Sequence, residues 1–409
     1  MNFKIYLSSL VFFLCTQVYP QTNINVGQVF SIKSEILNEE REIQVFLPNG
    51  YSESDKEYPV LYILDGQRYF LNGILYQKTL QWQEKTPDFI VIGINTDNNK
   101  RRKLFYEQSE TFTQFLEQEL ISFVDKNYRT SQVRMLFGWE MGGGLAIEIL
   151  ARYQKLFTTY LIASPTHLDE NRIAMLKKRL IDDKKTSNFI YYTLSPLESW
   201  AIESIDSLSN TFKENASHHI KWHYTSLKNE HHHSTPTRTI HEGLNAYFMD
   251  YIPIRFYSLK EFEDFGAMKA LKIHYKKRGE KYNIAEDIHK DTKHFLLLQA
   301  MKEDNYKAFK FFMEEFDDYY KSKTRDLWFN RYAQFYLKHH NFDQAFQIFN
   351  AGLEKFENSS LILNGLGDFY FVKNNTKKAK SYYHKAVEIA IKNSDSNLIE
   401  YQTDLEKLK

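Results

Sequence analysis

The run Met135-Leu136-Phe137-Gly138-Trp139-Glu140-Met141-Gly142-Gly143 places a chemically active side chain where a turn would present it. An apolar strand-like stretch gives way to small residues, and a helical pattern follows from Leu145 to Tyr153. A nucleophile held at the tip of a strand-to-helix turn has this build, G-x-S-x-G, because bulky flanks would block the helix that crosses close behind. Here the central position holds Glu140. A glutamate lacks the hydroxyl that an imidazole deprotonates in serine chemistry, and it is a carboxylate near neutral pH unless burial raises its pKa. Three roles are open to it. It pairs with a histidine and leaves a pocket that binds without cutting; it attacks carbon itself, as a carboxylate nucleophile; or it stands aside while a histidine activates water beside oxyanion donors. A plain exposed turn residue is the remaining alternative.

The partners of such a turn have their own places in the chain. Asn229-Glu230-His231-His232-His233-Ser234-Thr235-Pro236 follows the last strand pattern and precedes a helix. In the order nucleophile, acid, histidine, a base belongs there. Three adjacent side chains cannot all face one way, so one or two at most reach a site. Adjacent histidines also lack the usual spacing of zinc ligands, so neither a metal nor another cofactor is expected. The acid should follow the strand ending Tyr192-Thr193-Leu194, where Glu198 is the nearest carboxylate; a surface glutamate is the alternative. A further strand ends in Leu64-Asp65-Gly66. The N–H of Gly66 and the N–H of Met141 are the pair such an architecture aims at an oxyanion, and a simple strand-end turn is the competing reading.

The elements that must position these residues are legible as hydrophobic patterns. Residues 27–36 and 42–48 read as strands around a polar turn, Leu37 to Arg41. Val60–Leu64, Phe89–Ile94, Arg134–Phe137, Tyr160–Ala163 and Phe189–Leu194 are near-continuous apolar runs, as strands buried on both faces of a parallel sheet require. Ile220, Trp222 and Tyr224 alternate in a last strand, and Phe112, Leu116, Leu120 and Phe123/Val124 recur at helical spacing. The alternation predicts an α/β fold with a doubly wound, mostly parallel sheet over residues 22–255. Residues 256–409 change character: they are charged, aromatic and helix-periodic. Ala333, Tyr336, Ala345, Phe349 and Gly352 recur as Gly367, Tyr370, Ala379, Tyr383 and Ala386, each 34 residues on. That period resembles the tetratricopeptide repeat, and its helix pairs need neighbours to bury their core.

The ordered segments resemble the Putative esterase family of α/β hydrolases, which includes S-formylglutathione hydrolase and the ferric-siderophore esterases. The resemblance runs over about 30–250 through Tyr58-Pro59-Val60-Leu61-Tyr62-Ile63-Leu64-Asp65-Gly66, Val91 to Asp97, Glu119-Leu120 with Asp125 to Thr130, the turn at Glu140, Ser164-Pro165, and His232 to Pro236. It implies carboxylic-ester hydrolysis as the ancestral chemistry, the catalytic histidine at His232, the family's serine position at Glu140, and a small ester or siderophore-like ligand. It also implies an arginine-rich loop near the site, here Lys100-Arg101-Arg102-Lys103, which otherwise reads as a solvated charge run. Some exported members of the family carry a helical repeat tail.

Composition limits the rest. With 43% hydrophobic and 26% charged residues and a formal net charge of +1, the 409-residue chain suits two globular units. It gives no electrostatic reason to expect nucleic acid or an anionic membrane as a partner. Residues 1–21 read as a signal peptide, with Lys4 before an apolar run from Ile5 to Leu14 that is too short to span a bilayer. Cleavage after Gln17 or Gln21 would remove the single cysteine, Cys15, which ranks second as a lipid-attachment site because Phe13-Leu14 are not small. The expectation is an exported, periplasmic or secreted protein without disulfides. No membrane span is expected, and the helical tail is a candidate surface for a protein partner.

Overall fold

A computed structural model describes residues 26–408, so the expected signal segment lies outside the described residues. The chain divides into two compact units, one ending at Met249 and the other beginning at Asp250.

The first unit is built on a sheet of eight strands: β1 (Gln28–Ser34), β2 (Glu39–Phe46), β3 (Tyr58–Leu64), β4 (Ile90–Ile94), β5 (Thr130–Trp139), β6 (Thr159–Ala163), β7 (Asn188–Leu194) and β8 (Ile220–Ser226). Their order across the sheet is β1-β2-β4-β3-β5-β6-β7-β8. β1 and β2 are antiparallel, β2 runs antiparallel to β4, and every pair from β4 through β8 is parallel. β4, β6 and β7 are buried at every position, which is why their sequences run apolar instead of alternating. The first turn is shorter than its polar composition predicts, because Glu39 to Arg41 already belong to β2. Arg41 points inward, where Glu39 and the carbonyl of Asn95 accept from its terminal nitrogens, so a polar residue sits in the ladder without a solvent-facing turn.

Helices cover the sheet. α1 (Gly66–Leu80) follows β3, α2 (Met141–Arg152) follows β5, α3 (Glu170–Asp182) follows β6, α4 (Ile202–Asn215) follows β7, and α5 (Thr235–Tyr247) follows β8. Between β4 and β5 a mostly helical stretch buries Phe112, Leu116, Leu120 and Val124, the face its spacing predicts. α2 is anchored by a buried ion pair from its Glu148 to Arg172 of α3, at 2.8 Å. Arg172 also donates to the carbonyls of Phe105 and His167, which ties two loops at the same edge to that helix.

The second unit is all helical: α6 (Leu259–Asp264), α7 (Ala267–Tyr282), α8 (Lys290–Lys302), α9 (Tyr306–Glu315), α10 (Asp326–Lys338), α11 (Phe342–Lys355), α12 (Ser360–Val372), α13 (Thr376–Asn393) and α14 (Leu398–Glu406). It starts six residues earlier than the composition change suggests. Asp250 is held by Lys281 at 2.9 Å, and the carbonyl of Tyr251 accepts from Arg278, so the segment before Phe256 is already fixed to α7. α10–α11 and α12–α13 form successive hairpins at the 34-residue offset. The repeat also shows in its hydrogen bonds: Gln334 to Asp368, Lys338 to Asp304, and Lys355 to the carbonyl of Lys321 each span 34 positions. Among the described residues no helix is long and apolar enough to cross a membrane.

Candidate active site

The C-terminal ends of the parallel strands meet at one edge of the sheet, where open α/β folds place ligands. Glu140 sits there between β5 and α2 with φ 54° and ψ −117°. That conformation is strained for a residue with a Cβ and costs about 1–3 kcal/mol, so the surroundings must enforce it. They do so through the backbone: Glu140 N–H donates to the carbonyl of Ala163, and its own carbonyl accepts from Thr166 and Gly144, all at 3.0 Å. Gly138 is required for the same turn, since a Cβ on it would lie 2.3 Å from the carbonyl oxygen of Gly142. The backbone is therefore that of a nucleophile elbow, with a carboxylate on it.

That carboxylate is turned to an arginine. Glu140 Oε2 accepts from Arg101 at 2.6 Å, with the glutamate side chain 26% exposed. Arg101 is buried and grips Asp65 with two further bonds of 3.0 Å, through Nε to Oδ1 and through a terminal nitrogen to Oδ2. Its guanidinium carbon also lies 5.1 Å from the Trp139 ring centroid. Burial works against the charge on Arg101, but Asp65 and Glu140 together hold its pKa above the ordinary value. Burial pushes the fully enclosed Asp65 carboxyl upward, and Arg101 is the main force opposing that rise. Among the described residues no ion pair joins Glu140 to His232; the anticipated glutamate–histidine pair is replaced by glutamate–arginine. The reason is placement. Arg101 enters from the loop after β4, two strands from the elbow on the far side of β3, and it has a second anion at Asp65 to fix it.

His232 has its own carboxylate. Its Nδ1 lies 2.5 Å from Glu198 Oε1. Glu198 is buried, and its second oxygen accepts from the backbone N–H of Ser195 at 2.9 Å and the Ser164 hydroxyl at 2.8 Å. The carboxylate thus has partners on both oxygens and one orientation. Ser164 meets the Thr235 hydroxyl at 2.8 Å, and Thr235 reaches the His232 carbonyl at 3.1 Å. Trp139 donates to that same carbonyl at 3.1 Å, and its ring lies 4.8 Å from the imidazole. Of the three adjacent histidines, His231 and His233 are exposed and only His232 faces Glu198.

Gly66 and Met141 are the first residues of α1 and α2, so their N–H groups have no intrahelical acceptor. β3 and β5 are neighbours in register, Ile63 opposite Phe137, so both helices start at the same edge. Gly66 cannot carry a side chain, because a Cβ would lie 2.6 Å from the backbone of Gly93 and Ile94. The family resemblance brings the loop Lys100 to Lys103 near the site, but nothing in the sequence gives Arg101, Asp65 or Trp139 an individual role. Arg101 was hidden in a run of four basic residues, of which Arg102 is the solvated kind, and no local pattern marks which of them turns inward.

Residues 34–235 match the family model described as Putative esterase. This domain belongs to that esterase family. The chain is 29% identical over 175 residues to the uncharacterized protein YjcH of Bacillus subtilis, an alignment covering 41% of this chain and 71% of the relative. An IroE-like serine hydrolase from Shewanella oneidensis superimposes with a TM-score of 0.53 at 19% identity, covering 70% of this chain and 98% of that one. An uncharacterised protein from Capnocytophaga ochracea superimposes with a TM-score of 0.57 at 16% identity, over 92% of this chain and all of the other. At those identities the likeness is one of fold. The esterase domain accordingly has the family's architecture, with a glutamate at the elbow of that architecture.

Proposed function

We propose that the chain is an exported esterase homologue in which acyl-enzyme chemistry at the elbow is impaired, leaving a pocket that binds a small ester or siderophore-like ligand. The observation that carries this reading is the bond from Arg101 to Glu140. Serine-type hydrolysis begins when an alcohol oxygen, relieved of its proton by an imidazole, attacks the ester carbonyl. Glu140 supplies no such proton, and its carboxylate is already engaged by a buried guanidinium that it shares with Asp65. A carboxylate nucleophile would have to surrender that pairing as its charge moves into the new bond, so the lock also counts against attack by Glu140. The remaining apparatus is read as inherited: Glu198 orients His232, and Gly66 and Met141 offer N–H groups to a carbonyl oxygen. Hydrolysis is expected to fall to the small rate that oxyanion donors and His232-activated water can sustain.

The test is turnover of p-nitrophenyl acetate and butyrate by the mature protein, Glu140→Ser, His232→Ala and the double variant. Glu140→Ser should raise the rate by at least about 100-fold, and the gain should vanish in the double variant. Brisk wild-type turnover abolished by His232→Ala would refute the impaired-site reading, and an adduct trapped on Glu140 would establish the carboxylate nucleophile instead.

A second reading concerns the helical unit. The hairpins at a 34-residue offset, tied by hydrogen bonds of the same spacing, support a tetratricopeptide-like array that takes a protein partner. Binding that persists when the Arg101 and Glu140 positions are altered would assign the partner to the tail, and loss on those changes would assign it to the esterase domain.

A further inference from the structure

A cluster in the helical unit, unrelated to the elbow, surrounds one lysine with rings and neutral acceptors. Lys323 follows the short helical turn Asp317–Ser322 and is half-buried. Its Nζ donates to the Tyr319 hydroxyl oxygen at 2.5 Å and meets His294 Nδ1 of α8 at 3.3 Å. The Tyr319 hydroxyl gives its own proton to the carbonyl of Lys290 at 2.6 Å, which leaves its oxygen to accept from the lysine. The Tyr319 and Trp328 ring centroids lie 4.3 and 5.7 Å from Nζ. The His294 ring is set edge-on to Trp328 at 4.3 Å.

Among the described residues no carboxylate forms an ion pair with Lys323, although carboxylates are common in this unit. Asp291 of α8, whose negative charge acts on Lys323, is itself paired with Arg255 at 3.2 Å. Arg331 of α10 packs on Trp328, and Lys293 of α8 lies 5.7 Å from the Tyr319 ring, so other cations crowd the same place. Lysines on an ordinary surface commonly pair with a carboxylate; among the described residues this half-buried ammonium does not.

From this enclosure we infer that Lys323 is a reactive amine, a site that captures aldehydes as imines. In that reaction the Nζ lone pair forms a bond to the aldehyde carbon. The carbon–oxygen bond then breaks, and the carbonyl oxygen leaves as water with the two amine hydrogens. The step needs the free amine, and a partly buried cation without an ion-pair partner gives up its proton more readily than a solvated one. Burial lowers the Lys323 pKa to about 8, against the pull of Asp291. The same burial, with Lys323 as the next cause, holds His294 down to about 4, so its ring is neutral and accepts the lysine's hydrogen bond.

Reductive methylation of the full mature chain with formaldehyde and cyanoborohydride, followed by peptide mass spectrometry, tests the inference. At pH 7.5 and short exposure Lys323 should be modified at least about tenfold faster than an exposed lysine such as Lys269, keeping pace with the α-amino group, whose ordinary pKa is similar. Its rate should rise with a midpoint near pH 8. Lys323→Arg should remove the fast internal site and leave other rates unchanged. Modification of Lys323 no faster than Lys269, or only in urea, overturns the proposal.

Discussion

Arg101 donates to the Glu140 carboxylate at the elbow and also to Asp65, so a single positive charge is shared between two carboxylates. One guanidinium therefore serves two anions, of which Asp65 is fully enclosed. Breaking a buried pair by removing one partner leaves an uncompensated charge and costs about 3–5 kcal/mol. Arg101→Met should destabilise the first unit by that order, measured as a fall in urea midpoint, whereas Glu140→Ser should cost far less because Asp65 keeps its partner. Equal losses would mean that Arg101 is not the keystone of the pair. This level was only partly legible in the sequence. Glu140 is marked by the glycines around it, strand order points to Glu198 and to the run of three histidines, and only the family resemblance singles out His232 among them. The choice of Arg101 over His232 as the partner of Glu140 was not legible, because it depends on which of four consecutive basic side chains points inward.

Elements impose the site through strand ends and close helix packing. The apolar runs mark β3, β4, β6 and β7 to within two residues, since strands buried on both faces have few polar positions to confuse the pattern, whereas β5 begins four residues before its run because Thr130 to Val133 are not buried. The first turn was misjudged because Arg41 is buried against Glu39 and a carbonyl, and a buried charge reads as a loop. In the helical unit the repeat was visible because close crossings recur at fixed spacing. Gly367 packs so near the Tyr383 ring that a Cβ would approach one of its carbons to 2.3 Å. Gly367→Ala should thus force α12 and α13 apart and cost about 1–3 kcal/mol by overpacking, less any helix-propensity gain. Urea unfolding of the full chain, followed by a probe in the helical unit, would show it; an unchanged or raised midpoint would contradict the close crossing.

At the scale of the molecule, an esterase-family domain is joined to a helical unit, and the chain is proposed to act outside the cytoplasm. If residues 1–21 are a removable signal, protein recovered from its native host should begin after Gln17 or Gln21 and be found in the periplasm or medium. N-terminal sequencing of fractionated protein checks this, and an intact Met1 in the cytoplasmic fraction would contradict it. The fold class was readable from alternation of strand and helix alone. The boundary between units was not, because Asp250 and Tyr251 are bound to α7 by a salt bridge and a carbonyl contact that leave no compositional mark.

On the proposed reading the elbow keeps a working frame and has lost only its nucleophile. Labelling with a fluorophosphonate, which reacts covalently with activated serines, is the decisive test. The wild-type protein should remain unlabelled, while Glu140→Ser should take the label at position 140 and lose it when His232→Ala is added. A Glu140→Ser protein that folds normally yet resists the probe, or a wild-type chain labelled at some other residue in a His232-dependent way, would refute this reading of the elbow.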